Sequence, residues 1–214
     1  MEREALLASG LREKDKIVQY LRRLDDLFRK FIPTIDPSYK PVERARALFQ
    51  WLWKEKPFRY KPQGNYRLHD VIDAQLGEEN PTVGNCLGLT VLYNCLLRRM
   101  GIIAEALYLE YAFETGPHVL TLLQIEDSCV DIENILPDGF DYKGHLDDPS
   151  RTRWGTRELV ADIYHSAGNE FFLKGERIEA LKNYEKALHL NPHYEKVQLN
   201  RAILLDKMNI PLRS

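Results

Sequence analysis

No window of the 214-residue chain approaches the ~18 uninterrupted apolar residues of a membrane-spanning helix, and MEREALLASGLREKDK at its start is charged from the second residue. Neither membrane insertion nor export is expected. A charge of one sign is also missing: 30 basic side chains face 32 acidic ones, giving a net charge of −2 and a pI near 6.3. That removes the electrostatic footprint of a protein that wraps a phosphate backbone, so nucleic acid is excluded as an expected partner. Cysteine is scarce. Cys86, Cys95 and Cys129 are an odd count at spacings that fit neither a disulfide framework nor a zinc knuckle, and reduced thiols in a cytoplasmic protein fit best.

What is present suits a globular protein: 44% of residues are hydrophobic, enough for one core of about 150 residues with a smaller appendage. Ile17, Leu21, Leu24, Leu27, Phe28 and Phe31 recur at steps of three and four, predicting an amphipathic helix within 11–31. Pro33 and Pro37 interrupt, and Pro41 opens a second helix carrying Ala45, Leu48, Trp51 and Leu52. Residues 57–83 read as loop and short helix, with Trp51, Trp53, Phe58 and Tyr60 as a core aromatic cluster, one edge of which could line a cleft. After Gly84, the residues Leu89, Leu92, Tyr93, Leu96, Leu97 and Met100 form one apolar face. This predicts a buried helix with Asn85 as N-cap, Arg98 and Arg99 at its negative end, and Gly101 as left-handed stop.

Three β-rich runs follow, Ile102–Phe113, Val119–Ile125 and Cys129–Ile135, separated by Thr115-Gly116-Pro117 and Glu126-Asp127-Ser128; they predict an antiparallel meander. Residues 136–157 are Gly-, Pro- and Asp-rich and read as a linker, with a domain boundary near 155. Beyond it, Tyr164, Ala167, Gly168, Phe171, Ala180, Tyr184, Ala187 and Pro192 fall at the spacing of a 34-residue helical unit that resembles one tetratricopeptide repeat. Glu195–Met208 supplies a further helix, so residues 156–214 hold about one and a half repeats where a free-standing array needs about three. The expected organisation is 1–155 followed by a helical module at 156–214.

The chemistry concentrates in the middle of the chain. Gly84-Asn85-Cys86 puts a thiol in the first turn of a helix, where free N–H groups and the helix dipole favour a thiolate. Gly116-Pro117-His118 presents a base at the start of the second strand. Asp131 and Glu133, at alternate positions of the third strand, share a face and could orient the imidazole. If Glu126-Asp127 is a two-residue turn, Asp131 lies opposite Leu122 and Glu133 opposite Leu120, nearer His118; a bulge would reverse that choice. For the oxyanion of an acyl-transfer step the candidate donors are the Cys86 N–H with the Asn85 amide or the Trp51 indole. Cys95 and Cys129 read as packing residues. His189 and His193 are separated by a helix-breaking Asn191-Pro192, so neither a metal nor another cofactor is expected.

This order of residues resembles the transglutaminase-like superfamily of papain-type thiol enzymes. The resemblance runs through Gly84-Asn85-Cys86-Leu87-Gly88-Leu89-Thr90, the helix closure Leu96 to Ile102, His118 and the acidic strand, covering roughly residues 40–140. It implies an α+β papain-like core with a Cys-His-acid triad. The family's separation of about fifteen residues between histidine and acid ranks Glu133 above Asp131. The implied activity is acyl transfer on an amide of a protein or peptide substrate, as a peptidase, an amidase or a transglutaminase. A degenerate, non-catalytic core that binds a protein partner or a second copy through its repeat-like helices is the competing expectation. From Glu126 to Asp148 eight acidic residues accompany Lys143 alone, a segment that would attract amines if it borders the cleft.

Overall fold

A computed structural model describes residues 1–79, 81–114, 116–125 and 128–208. The chain divides into two compact units, Met1–Gly155 and Thr156–Ser214. The first is a mixed α and β unit. It opens with α1 (Glu2–Ala8), α2 (Lys14–Phe31) and a 3-10 turn at Ile32–Thr34, followed by α3 (Pro41–Glu55), α4 (Leu68–Leu76) and α5 (Cys86–Arg99). Pro41 occupies the first position of α3, where its missing N–H costs nothing. The short α1 was not anticipated from its sequence. It is tethered by Ser9, whose hydroxyl donates to the Ala5 carbonyl (2.7 Å) and accepts from the Leu68 N–H (2.8 Å), and by Arg99, which pairs with Glu2 and Asp25.

Helix α5 is the centre of the unit. Every residue from Leu87 to Leu97 is buried, so the helix is enclosed on all sides rather than amphipathic. Leu89, Leu92 and Leu96 are fully buried, each worth about 1.5–3 kcal/mol against exposure. The Asn85 Oδ1 caps it by accepting the Gly88 N–H at 3.0 Å, and Gly101 (φ 73) ends it, with the Ile102 N–H returning to the Leu97 carbonyl.

Strands β1 (Ala104–Ala112), β2 (Gly116–Ile125), β3 (Ser128–Ile132) and β4 (Thr152–Trp154) form an antiparallel sheet in the order β3-β2-β1-β4. The meander is present, with three corrections. Gly116 and Pro117 belong to β2, and the chain turns through Phe113 and Glu114, both at positive φ. The segment taken for linker carries β4, which pairs with β1 and stacks Trp154 on Tyr108 at 4.1 Å. β3 ends at Ile132, so Glu133 lies just beyond it. Thr115, Glu126 and Asp127, assigned above to turns, lie outside the described residues. The β2–β3 register sets Leu122 opposite Asp131. Phe58, placed in a core cluster from its sequence, is 74% exposed, and Cys129 is exposed rather than packed.

The second unit holds α6 (Thr156–Leu173), α7 (Arg177–Leu190) and α8 (Glu195–Lys207). Tyr184 is buried over Gly168, and His165, Asn169 and Asn200 share a hydrogen-bonded cluster with Tyr184, Asp162 and Tyr194. Among the described residues no helix is long and apolar enough to cross a membrane.

Candidate active site

The half-buried Cys86 is the first residue of α5, and the chain before it is clamped by the loop at 59–65. The Arg59 carbonyl accepts the Val83 and Gly84 N–H groups (2.7 and 3.1 Å), Lys61 N–H donates to the Gly84 carbonyl (3.0 Å), and Asn85 N–H donates to the Asn65 carbonyl (3.1 Å). The approach is so close that a Cβ on Gly88 would stand 2.3 Å from the Asn65 oxygen. A backbone this constrained fixes the direction in which the Cα–Cβ bond of Cys86 leaves the chain.

His118 stands on β2 opposite Leu109 and is 4% exposed. Its Nε2 lies 2.8 Å and 3.0 Å from the two carboxylate oxygens of Glu133, and Cys86 is close enough to raise the ring's proton affinity. With Nε2 committed to the carboxylate, Nδ1 is the nitrogen left for the thiol. Burial opposes a charge on this ring, but the hydrogen bonds to Cys86 and Glu133, and the negative charge of both, outweigh it and push its pKa up to about 10.

Glu133 is wholly buried. Burial alone would raise its proton affinity. Hydrogen bonds from His118 and His145, the imidazolium charge and the Ile135 N–H (3.3 Å) reverse this and hold the carboxyl below its ordinary range. His145 Nε2 is 3.3 Å from Oε2. Of the two acids left open by sequence, Glu133 meets His118. Asp131 is taken by Arg151, whose guanidinium spans both its oxygens at 2.7 and 3.1 Å.

A buried polar cluster fixes α5 against β2. Thr90 Oγ1 donates to the Val119 carbonyl (3.2 Å), Asn94 Nδ2 to the Glu105 carbonyl (3.1 Å) and Thr121 Oγ1 to Asn94 Oδ1 (2.7 Å). Asn134 Nδ2 reaches both Thr90 Oγ1 (3.1 Å) and Thr121 Oγ1 (2.9 Å). The residue after Cys86's helix turn and the residue after His118 are thereby tied together.

Of the proposed oxyanion donors, Asn85 caps α5 through its side-chain oxygen, an acceptor, which leaves the amide NH2 uninvolved in the cap, and Trp51 packs on Phe31 with ring centroids 5.5 Å apart. Tyr60 was grouped with the aromatic core in the sequence, yet its backbone bridges Gly84 and its phenol senses the site: burial first, then the negative charges of Cys86 and Glu133, raise its proton affinity. His118, Glu133 and His145 bring three ligand-type atoms within 4.8 Å of one another, a set that could also hold a divalent cation; the two imidazoles lie 2.8 and 3.3 Å from the Glu133 oxygen, at hydrogen-bond separation. The acidic rim is smaller than its sequence implied. Asp131 and Glu133 are buried and paired inward, Glu126 and Asp127 lie outside the described residues, and Asp138, Asp141, Asp147 and Asp148 remain.

Sequence reasoning missed His145, Arg151 and Tyr60. The first two fall in a stretch whose glycines and aspartates signal linker, and their only signal was the presence of titratable side chains soon after the acidic strand. No family model, no curated protein and no solved structure matches the chain.

Proposed function

We propose that the first unit is a papain-like, transglutaminase-like core that performs thiol-dependent acyl transfer on an amide of a protein or peptide, with Cys86 as nucleophile, His118 as acid and base, and Glu133 as the group that holds the ring. The observation that supports this reading is a buried imidazole paired at 2.8 Å with a buried carboxylate, with a helix-terminal thiol close enough to raise its proton affinity. In the reaction the Cys86 thiolate attacks the carbonyl carbon, and the carbonyl electron pair moves to oxygen. The Cys86 N–H, at the helix start, and the Tyr60 hydroxyl are candidate donors for that oxyanion. Collapse expels the amine, which takes the proton of His118, leaving a thioester. The now neutral His118 removes a proton from water or a second amine as it attacks the thioester. The thiolate departs with its electrons, and the imidazolium is restored.

Hydrolysis and transamidation differ only in that last nucleophile. The exposed Asp138 and Asp147 favour amine-bearing substrates over acidic ones by long-range attraction. The second unit is read as a tetratricopeptide-like module that docks a protein partner or a second copy of the chain, in a cytoplasmic protein without a cofactor. Leu173, Ile178 and Leu199, all well exposed on its helices, suit such docking.

Limited iodoacetamide labelling followed by peptide mass spectrometry tests the reading. Cys86 should alkylate far ahead of the more exposed Cys129 at pH 6, with buried Cys95 untouched, and His118→Ala should abolish the preference. Equal, slow labelling of Cys86 and Cys129 would sink the enzyme reading in favour of a non-catalytic scaffold. Incorporation of a labelled primary amine into a glutamine-containing peptide, against release of ammonia alone, then separates the two nucleophiles.

A further inference from the structure

We infer that His145 is a positioning residue of this site, a side-chain donor that keeps Glu133 ionised and turned toward His118. The inference rests on the thiol reading above and adds a fourth side chain to it.

The geometry is that of a built device. The two Glu133 oxygens face three protein donors, and His145 contributes one of them through Nε2 at 3.3 Å. Its ring is 7% exposed and is held on edge by Phe113 and against Tyr142, each at a centroid distance of 5.0 Å, with the His118 ring 6.0 Å away. The loop that carries it is fastened to β3 at several points. Tyr142 N–H donates to the Asp131 carbonyl (2.9 Å), and Glu133 N–H donates to the Gly139 carbonyl (2.8 Å). Arg151 then grips Asp131 with its guanidinium and the His145 carbonyl with the same Nη1, at 2.8 Å. Asp131 therefore contributes at one remove: it anchors the arginine that fixes the histidine that faces Glu133. Nothing in this arrangement requires a ring at position 145 merely to fill space, because Phe113 and Tyr142 already supply the aromatic wall.

The physical consequence concerns the carboxylate. Glu133 is fully buried from bulk solvent, so each donor removed raises its proton affinity and frees it to rotate away from His118. The groups facing it are His118 from β2, His145 from the loop, and Cys86 and Tyr60 across the ring; Asp131, Arg151 and Asp148 lie behind. Of these, His145 reaches Oε2 through Nε2 from the loop, without contact to the thiol.

The test is the pH profile of Cys86 alkylation in the full chain for wild type, His145→Phe and His145→Gln. Phe keeps the ring and loses the donor; Gln loses the ring and keeps an N–H at nearly the same reach. The inference expects His145→Phe to react about tenfold more slowly than wild type at pH 5 but within about twofold at pH 7.5, its acid limb moved upward by about one pH unit. His145→Gln should follow the wild-type limb. A pH-independent change, or a Phe variant that matches wild type while Gln fails, would assign His145 to packing and overturn the inference, leaving the thiol reading intact. Loss of Cys86 selectivity in wild type would take down both. Thermal melts of each variant guard against misfolding, and if Phe does not fold, His145→Leu against His145→Gln gives the same comparison.

Discussion

Replacing Glu133 by Gln is the sharpest probe of how the imidazole is charged. The substitution keeps the volume and one carbonyl acceptor and removes a formal charge from a fully buried position. His118 rises from 6.5 to about 10 in the folded chain, a net preference for the imidazolium of roughly 5 kcal/mol. Burial, the largest single influence, opposes the charge, while Cys86 and Glu133 each raise the proton affinity of the ring. In the variant burial acts with undiminished force, so losing one of the two partners should remove a large part of the net preference. The expected fall is about 2 pH units, or ~3 kcal/mol. Specific 13C labelling of histidine followed by NMR titration reads this directly: wild-type His118 should stay protonated to about pH 10, and the variant should titrate near or below about pH 8. A His118 in Glu133→Gln that titrates within about half a unit of wild type would refute the coupling of ring and carboxylate.

Four further outcomes follow from the same geometry. Because the folded pKa of His118 lies above its unfolded value, its contribution to stability is complete below about pH 6.5 and gone once pH has risen through about 10; denaturation midpoints should fall across that window and fall less in His118→Asn. Glu133, lowered in the folded chain, contributes in the opposite sense, with stability present above the ordinary carboxylate range and lost as acid protonates it, a loss that acid titration of Glu133→Gln should lack. Arg151→Ala leaves Asp131 buried without its partner and should cost about 3 kcal/mol in urea denaturation, with Asp131→Asn in the same background recovering part of it. Tyr60→Phe should leave Cys86 alkylation unchanged and slow amide turnover by at least about tenfold, since only the acyl step develops an oxyanion; equal effects on both assays would assign the phenol to packing.

How much of this was legible in the sequence depends on the range of the interaction. The cap and stop of α5 were readable because Asn85 and Gly101 act on backbone groups within a turn of themselves. The choice of Glu133 over Asp131 was nearly readable, since alternation and hairpin register fix which residues can meet across β2 and β3. What decided it, Arg151 claiming Asp131 from twenty residues away, has no local pattern. For the same reason β4 stayed hidden: three residues are too few to show a period, and their partner β1 is distant in the chain. His145 sits among turn-forming residues whose composition signals only irregular backbone, and its role arises from the tether that Arg151 and Tyr142 make to β3.

The cluster of Thr90, Asn94, Thr121 and Asn134 bears on how the site could fail. Apolar helix faces can slide past a sheet by small repacking steps, each of modest cost, whereas these four side chains leave donors and acceptors stranded as soon as the helix moves. The alignment of thiol and ring is therefore close to all-or-none. Damage anywhere along the contact between helix and sheet should abolish reactivity in a fraction of molecules instead of weakening it evenly in all of them, so that titration of competent sites, and not the rate per site, would report the injury.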